Sequence, residues 1–235
     1  MANYLIVGAS SGIGLAVTRE LLNQGHKVCG LGRSLEALHL LQQQHKNLFV
    51  LSYDIQTLQS QPIIAEAEKH MGPIDVVFLN SGVASGHSLD DWNDAARTVH
   101  TNVTGTTEFL INANAYFKQK NSEGVIAVNT SVAGLRGLRQ APVYSASKAY
   151  LINLCQSLRS QNKTSAGKVR VVDIRPGFVD TQMAGGTTWM SSTDKAAKQI
   201  IAAIHKRKEI VYISKRWILV AGLMRLVPRA LYERF

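Results

Sequence analysis

Short apolar runs alternate along most of this chain with longer stretches that carry apolar positions at helical spacing. The runs YLIV, VCGLG, LFVLS, DVVFLN, GVIAVN, VRVVDI and IVYI are apolar almost throughout, as in parallel strands buried on both faces. Between the first two runs, LAVTRELLNQ has the period of an amphipathic helix. The alternation predicts an α/β fold, a doubly wound parallel sheet of about seven strands with helices on both faces.

The length and composition favour a single globular domain. The 235 residues are 46% apolar, enough for a substantial core, and contain no internal repeat, linker or low-complexity segment. We therefore expect residues 1–235 to form one domain. Cys29 and Cys155 lie in apolar runs, which predicts reduced core residues, and no charged signal region precedes the first strand. The sequence thus predicts a cytoplasmic protein.

The positive charge is concentrated near the carboxyl end. The chain has a net charge of +10, and residues 195–235 contain ten Lys or Arg against two Glu, a local charge of +8. The remainder is nearly neutral, which argues against a general nucleic-acid-binding protein. The seven histidines show no paired ligand spacing, so we expect no metal site.

A glycine-rich turn, GASSGIG, follows the first predicted strand and opens the first predicted helix. Gly8, Gly12 and Gly14 allow a sharp turn and close approach of the backbone to a pyrophosphate, and the helix amino terminus adds N–H donors. The spacing is GxxxGxG, unlike the commoner GxGxxG. The alternative is an ordinary glycine-rich connection.

The second predicted strand ends in Arg33 and Ser34, where NAD-binding folds usually carry an acidic residue for the ribose hydroxyls. An arginine here suits a 2′-phosphate and favours NADP(H), although a solvated surface arginine would give the same sequence. Asp54 ends the third strand, where it either accepts a hydrogen bond from adenine or caps the next loop.

The candidate residues for proton transfer lie in residues 131–148, SVAGLRGLRQAPVYSASK. Tyr144 and Lys148 are spaced i, i+4, which places them on one face of the helix that the following residues predict. An ammonium group beside a phenol is expected to lower the phenol's pKa and equip it for proton transfer to or from a carbonyl oxygen. Ser131 ends the preceding buried strand and faces the same edge. Taken alone, YxxxK also occurs by chance in many helices.

Two further segments belong to this edge of the sheet. Asn102 lies in an apolar helical run, where an asparagine either kinks the helix or joins a polar network. Pro176 and Gly177 end the sixth strand, and the Gly/Thr/Ser-rich residues 182–193 follow. That composition favours a mobile substrate loop over an ordinary surface loop.

Together these motifs resemble the short-chain dehydrogenase/reductase family over residues 3–181. The chain departs from the family pattern at Leu79 and Ser81, which replace Asn and Ala of its NNAG stretch. Ser11 also lacks the basic side chain found in some NADP-preferring members. The resemblance implies a catalytic tetrad of Asn102, Ser131, Tyr144 and Lys148 and a homodimer or homotetramer. It implies cofactor contacts from Gly8, Ser10, Ser11, Gly12, Ile13, Gly14, Arg33, Ser34, Asp54, Ile55, Asn80, Ser81, Gly82, Tyr144, Lys148, Pro176, Gly177, Val179 and Thr181.

The carboxyl-terminal tail, residues 215–235, continues beyond the predicted seventh strand. Its apolar stretch is far shorter than the ~20 residues that span a bilayer. Basic residues flank it, which suits a helix lying on an anionic membrane surface. A helix packed on the domain or across a subunit interface is the alternative.

The sequence therefore predicts an NADP(H)-dependent oxidoreductase acting on a carbonyl or alcohol, with ketone or aldehyde reduction as the working direction and a substrate of lipid character. NAD(H) use by an alcohol dehydrogenase is one alternative. A non-catalytic NADP(H)-sensing protein is another, although a sensor has no need of the tyrosine–lysine pair. A membrane-surface scaffold is weakened for the same reason.

Overall fold

The computed structural model describes residues 1–84, 89–164, 168–181 and 190–232. Seven strands of these residues form one sheet in the order β3-β2-β1-β4-β5-β6-β7, and every neighbouring pair is parallel. The predicted doubly wound α/β fold is confirmed. The strands are β1 (Asn3–Val7), β2 (Lys27–Gly32), β3 (Leu48–Ser52), β4 (Val76–Leu79), β5 (Gly124–Asn129), β6 (Val169–Pro176) and β7 (Ile210–Ile213).

Helices connect the strands and cover both faces of the sheet. They are α1 (Gly12–Asn23), α2 (Glu36–Gln42), α3 (Ser60–Met71), α4 (Trp92–Thr98), α5 (Thr106–Gln119), α6 (Pro142–Thr164), α7 (Thr193–His205), α8 (Trp217–Leu226) and α9 (Arg229–Tyr232). Short 3₁₀ helices span Ile55–Thr57 and Val132–Leu135, and a π-helical segment, Val99–Gly105, joins α4 to α5.

Each face of the sheet has its own apolar core because alternate strand residues point to opposite sides. Ile6 of β1 packs in the core that includes α1 and α7, whereas Leu5 and Val7 pack in the core beneath α3, α5 and α6. Cys29 and Cys155 are both buried and unpaired, as the sequence predicts.

The strand order reverses between β1 and β4, and this position organises the site. Where the connections that follow two adjacent parallel strands run to opposite faces of the sheet, a crevice opens at its carboxyl edge. The glycine turn after β1 and Asn80–Gly82 after β4 both begin at this crevice.

Residues 182–189 of the candidate substrate loop, 182–193, lie outside the described residues. Its flanks are described: Val179 and Ser191 form an isolated parallel bridge, and the Asp180 N–H donates to the Ser191 carbonyl at 2.9 Å. The two ends of the segment are therefore joined beside the carboxyl end of β6.

Candidate active site

The glycine turn is built for close backbone packing. Gly8 and Gly12 have φ angles of +82° and +50°, which side chains strongly disfavour. A Cβ at Gly8 would lie 2.8 Å from the Ser81 nitrogen, and one at Gly14 would lie 1.9 Å from the Gly8 carbonyl oxygen. Only glycines let α1 and the loop after β4 rest directly on this turn. The amino terminus of α1 then borders the crevice and supplies a site for an anion.

A cavity of about 630 Å³ occupies the crevice. Its lining includes many of the residues that the family resemblance implies for cofactor binding, namely Gly8, Ser10, Ser11, Gly12, Ile13, Arg33, Ser34, Asp54, Ile55, Asn80, Ser81, Gly82 and Thr181. The lining also contains residues that sequence reasoning missed, namely Gly32, Tyr53, Val83, Thr101 and Asn129. Five predicted contacts are not part of this lining, namely Tyr144, Lys148, Pro176, Gly177 and Val179. Gly14 is also outside it and allows α1 to pack on the turn.

At one end of the cavity, Arg33 and Asp54 approach each other. The Arg33 Nη1 lies 3.9 Å from Asp54 Oδ2, and the arginine side chain is 66% exposed. Ion pairs this exposed are weak, so the guanidinium remains able to bind an anionic ligand. Asp54 Oδ1 accepts a hydrogen bond from the Gln56 N–H at 3.0 Å, so this residue does cap the loop, one of the two roles that the sequence allowed.

A chain of hydrogen bonds connects the glycine turn to Lys148. The Asn80 amide donates to the Gly8 carbonyl at 2.9 Å, and the Asn129 amide donates to Asn80 Oδ1 at 2.9 Å. Lys148 Nζ in turn donates to the Asn129 carbonyl at 2.8 Å. The network fixes the lysine relative to the cavity, because directional bonds join the ends of adjacent strands to each other and the last of them to Lys148 on α6.

Tyr144 and Lys148 lie in the first turns of α6, which begins at Pro142, a residue whose φ suits that position. Lys148 is 4% exposed, and its Nζ lies 5.7 Å from the centroid of the Tyr144 ring. Burial lowers the pKa of Lys148 to about 8.

The pKa of Tyr144 departs from the expectation drawn from the sequence. Burial raises the pKa of its phenol, and a hydrogen bond with the Ser131 side chain partly opposes that shift. The expected lowering by Lys148 is therefore wrong for this structure. The desolvation of a phenolate outweighs the favourable contacts made by its neighbours.

Ser131 lies where β5 gives way to a 3₁₀ turn. Its Oγ accepts from the Ala133 N–H at 3.1 Å and donates to the Pro176 carbonyl at 3.3 Å. The serine is thus held between the carboxyl ends of β5 and β6, beside Tyr144. The predicted grouping of serine, tyrosine and lysine is present in the structure.

Asn102 is fully buried in the π-helical segment between α4 and α5. Its amide exchanges hydrogen bonds with the N–H and carbonyl of Val83, both at 2.9 Å, and donates to Ser147 Oγ at 3.0 Å. A Cβ added at Gly82 would lie 3.4 Å from both Asn102 Oδ1 and Lys148 Nζ. Asn102 therefore both marks a helix distortion and joins a polar network, and it lies close to the lysine.

The sequence profile described as short chain dehydrogenase matches residues 2–191. The chain belongs to the short-chain dehydrogenase/reductase family. It is an NAD(P)-dependent dehydrogenase/reductase of that family, and the ordered motifs of the sequence now have a common structural setting at one sheet edge.

Similar proteins agree with this assignment. An uncharacterised oxidoreductase of Staphylococcus epidermidis is 31% identical over 205 residues, which cover 85% of this chain and 87% of that one. The NADP-dependent 3-hydroxy acid dehydrogenase YdfG of Escherichia coli is 27% identical over 222 residues, covering 91% and 87%. The fold matches that of a Burkholderia phymatum short-chain dehydrogenase/reductase in complex with NAD, with a TM-score of 0.87, 20% identity and coverage of 94% and 92%.

Within the described ranges, no group of three or more His, Cys, Asp or Glu side chains is placed to hold a metal ion. No helix in the described part of the chain is long and apolar enough to cross a bilayer.

Proposed function

We propose that this enzyme reduces a ketone or aldehyde with NADP(H), and that Tyr144 is the acid that protonates the carbonyl oxygen. The grouping of Tyr144, Ser131 and Lys148 beside a cavity of about 630 Å³ carries the proposal. Burial raises the pKa of Tyr144, so the phenol holds the proton that carbonyl reduction requires, although the same shift makes it a weaker acid than an unshifted tyrosine.

The cavity fits a dinucleotide in its backbone and its polar groups. A Cβ at Gly32 would lie 2.8 Å from Ser10 Oγ, so the glycine lets this wall of the cavity pack closely against the glycine turn. The Tyr53 hydroxyl, in the cavity lining, is buried and has no hydrogen-bond partner among the residues that the structure describes. A bound ligand with a polar group can satisfy it. When bound, the nicotinamide supplies or accepts the hydride.

The other residues have roles that follow from their placement. Ser131 orients the substrate carbonyl by a hydrogen bond. Lys148 contributes a positive charge beside the phenol and a donor for a ribose hydroxyl. Asn102 fixes the surroundings of Lys148 through its hydrogen bonds with Val83 and Ser147. Gly8, Ser10, Ser11, Gly12 and Ile13 would hold the pyrophosphate, while Pro176, Gly177, Val179 and Thr181 would border the nicotinamide.

NADP(H) is the preferred cofactor in this proposal because Arg33 stands at the cavity end where a 2′-phosphate would bind. The relative YdfG is named NADP-dependent, whereas the B. phymatum structure holds NAD, so NAD(H) is the alternative. Two other functions compete with this proposal: alcohol oxidation with NAD(H), and non-catalytic sensing of NADP(H).

The variant Arg33→Ala is expected to weaken NADPH binding about 10- to 100-fold, because it removes charge-assisted hydrogen bonds to the 2′-phosphate. NADH binding should change by less than about twofold, since NADH has no such phosphate. Calorimetric titration of both cofactors checks this. Arg33→Lys keeps the charge but loses the planar donor fork, so its affinity for NADPH should lie between those of the wild type and Arg33→Ala. Equal losses for both cofactors would contradict NADP(H) selection by Arg33.

The substrate is proposed to have lipid character, and the tail to contact a membrane surface. Leu219, Leu223 and Leu226 are 79%, 65% and 81% exposed, and their spacing places them on one face of α8. Lys215 and Arg216 precede this face and are exposed. An exposed apolar face beside basic side chains fits the interface of an anionic bilayer.

The double variant Leu219→Ser/Leu223→Ser is therefore expected to bind phosphatidylserine-containing vesicles about tenfold more weakly than the wild type. Co-sedimentation at low and high salt measures this, since screening should also weaken binding. Leu40→Ser, at a leucine 57% exposed on α2, is the matched control and should bind as the wild type does. Equal sedimentation of the wild type and the double variant would exclude a membrane contact through this leucine face. The homodimer or homotetramer and the cytoplasmic location stay predictions.

A further inference from the structure

Two loops border the catalytic side chains away from the glycine turn. One, residues 136–141, connects the 3₁₀ turn after Ser131 to helix α6, which carries Tyr144. The other begins at Gly177, directly after Pro176, whose carbonyl accepts the Ser131 hydroxyl. Both loops therefore lie next to the side chains proposed to bind the substrate carbonyl.

The carboxyl-terminal segment, residues 217–232, contacts the second loop through Trp217. The indole packs on Gly177 so closely that a Cβ there would lie 1.9 Å from Trp217 Cε2. It also meets the Phe178 ring edge-on, with centroids 5.5 Å apart and an interplanar angle of 73°. Trp217 is 8% exposed, so the start of α8 is docked firmly beside the carboxyl end of β6.

The same segment contacts the first loop through Arg136. Its Nη1 donates to the carbonyls of Met224 and Val227, at 2.9 Å and 2.6 Å, which lie at the carboxyl end of α8. A cation there satisfies unpaired carbonyls and complements the helix dipole. The guanidinium also lies 4.3 Å from the centroid of the Tyr232 ring, and the Tyr232 hydroxyl donates to the Gly137 carbonyl at 2.9 Å.

We propose that residues 217–232 form the outer wall of the substrate cleft, and that Arg136 is a positioning residue that holds this wall and thereby sets the preference for long apolar substrates. The inference rests on the proposed carbonyl chemistry. The segment bridges both loops that border Tyr144. Phe178, which is 47% exposed and packs edge-on against the buried Trp217, offers apolar surface to a chain extending outward from the carbonyl. Arg136 touches no reacting atom, so its effect is on substrate length.

Arg136→Ala is expected to raise KM for long-chain aldehydes and ketones about tenfold, the loss typical of a charge-assisted hydrogen bond. The kcat values, the KM for the shortest carbonyl and NADPH affinity should stay within about twofold, since the catalytic groups do not contact this side chain. Trypsin cleavage within 217–232, followed by mass spectrometry, should become faster. Arg139→Ala is the matched control: it removes an exposed arginine from the same loop and should change neither readout.

Affinities for linear carboxamides of increasing length, which contain a carbonyl but are not reduced, give a readout independent of turnover. The wild type should prefer the longer amides and Arg136→Ala should lose that preference. A wild type without length preference, or an Arg136→Ala variant that matches Arg139→Ala, would overturn the inference. Length-dependent amide binding by a wild type that reduces no carbonyl would overturn the proposed reaction and leave the wall assignment standing.

Discussion

Replacing Tyr144 with phenylalanine is expected to lower kcat by about 10²- to 10⁴-fold, the usual contribution of a positioned acid or base. The phenylalanine ring keeps the packing of the first turn of α6, so the cofactor cavity retains its shape. NADPH affinity should therefore stay within about threefold, allowing for the loss of one hydroxyl contact. Rates of NADPH oxidation with a panel of aldehydes, ketones and 3-oxo acids, measured beside calorimetric NADPH binding, test both parts.

The matched control for this variant is Tyr150→Phe. Tyr150 lies on the same helix, is 41% exposed, and its hydroxyl accepts from Thr107 at 3.1 Å, away from the catalytic groups. That variant should retain wild-type rates. Turnover that survives in Tyr144→Phe would exclude the tyrosine as the acid. A wild type that binds NADPH but reduces nothing in the panel would favour the cofactor-sensing alternative.

The sheet and the glycine turn were predictable because their signals are local. Continuous apolar runs need burial on both faces, and a strand followed by GASSGIG and a helical pattern has one common structural solution. The pairing of Tyr144 with Lys148 is likewise local, since helical spacing alone brings them together. Asp91 begins α4 as its N-cap, accepting from the Asp94 N–H at 3.1 Å, which is also a local interaction.

The polar chain from Gly8 to Lys148 could not be predicted, because it depends on which strands are neighbours. Asn80 follows β4 and Asn129 ends β5, and only the parallel pairing of these strands brings their side chains within 2.9 Å. The predicted direction of the Tyr144 pKa shift was wrong for a related reason. A lysine four residues away is visible in the sequence, whereas the desolvation that dominates the pKa depends on the folded surroundings.

In the tail, too, the helix is predictable from the local sequence, whereas its contact with the domain is not. The apolar stretch and its basic flanks predict a short amphipathic helix, and α8 is that helix. Its partner on the domain is Arg136, about ninety residues earlier in the chain, and nothing in the pattern of either segment identifies the other. Of the two alternatives left open by the sequence, packing on the domain is present in the structure, and an exposed face remains for the proposed membrane contact.

The buried ion pair of β6 is a further feature that the apolar pattern conceals. Asp173 and Arg175 lie on one face of the strand, with side chains 0% and 4% exposed and an N–O distance of 2.6 Å. Thr130 Oγ1 donates to Asp173 Oδ1 at 2.6 Å, and Arg175 Nη1 lies 3.0 Å from the Tyr212 hydroxyl. The pair therefore connects β6 to β7 and to Thr130, the residue immediately before Ser131.

Asp173→Ala is expected to lower the free energy of unfolding by about 3–5 kcal/mol, because it leaves the Arg175 guanidinium buried without its counter-charge. That loss is a large share of the roughly 5–15 kcal/mol typical of a folded domain. Urea denaturation followed by circular dichroism measures it. The double variant Asp173→Leu/Arg175→Met removes both charges and should recover most of the stability, since apolar residues of similar volume often replace a buried pair without net cost. A single variant as stable as the wild type would show that the pair contributes nothing to the fold. A stable double variant with a lowered kcat would instead show that the pair serves to position Thr130 and Ser131 for catalysis.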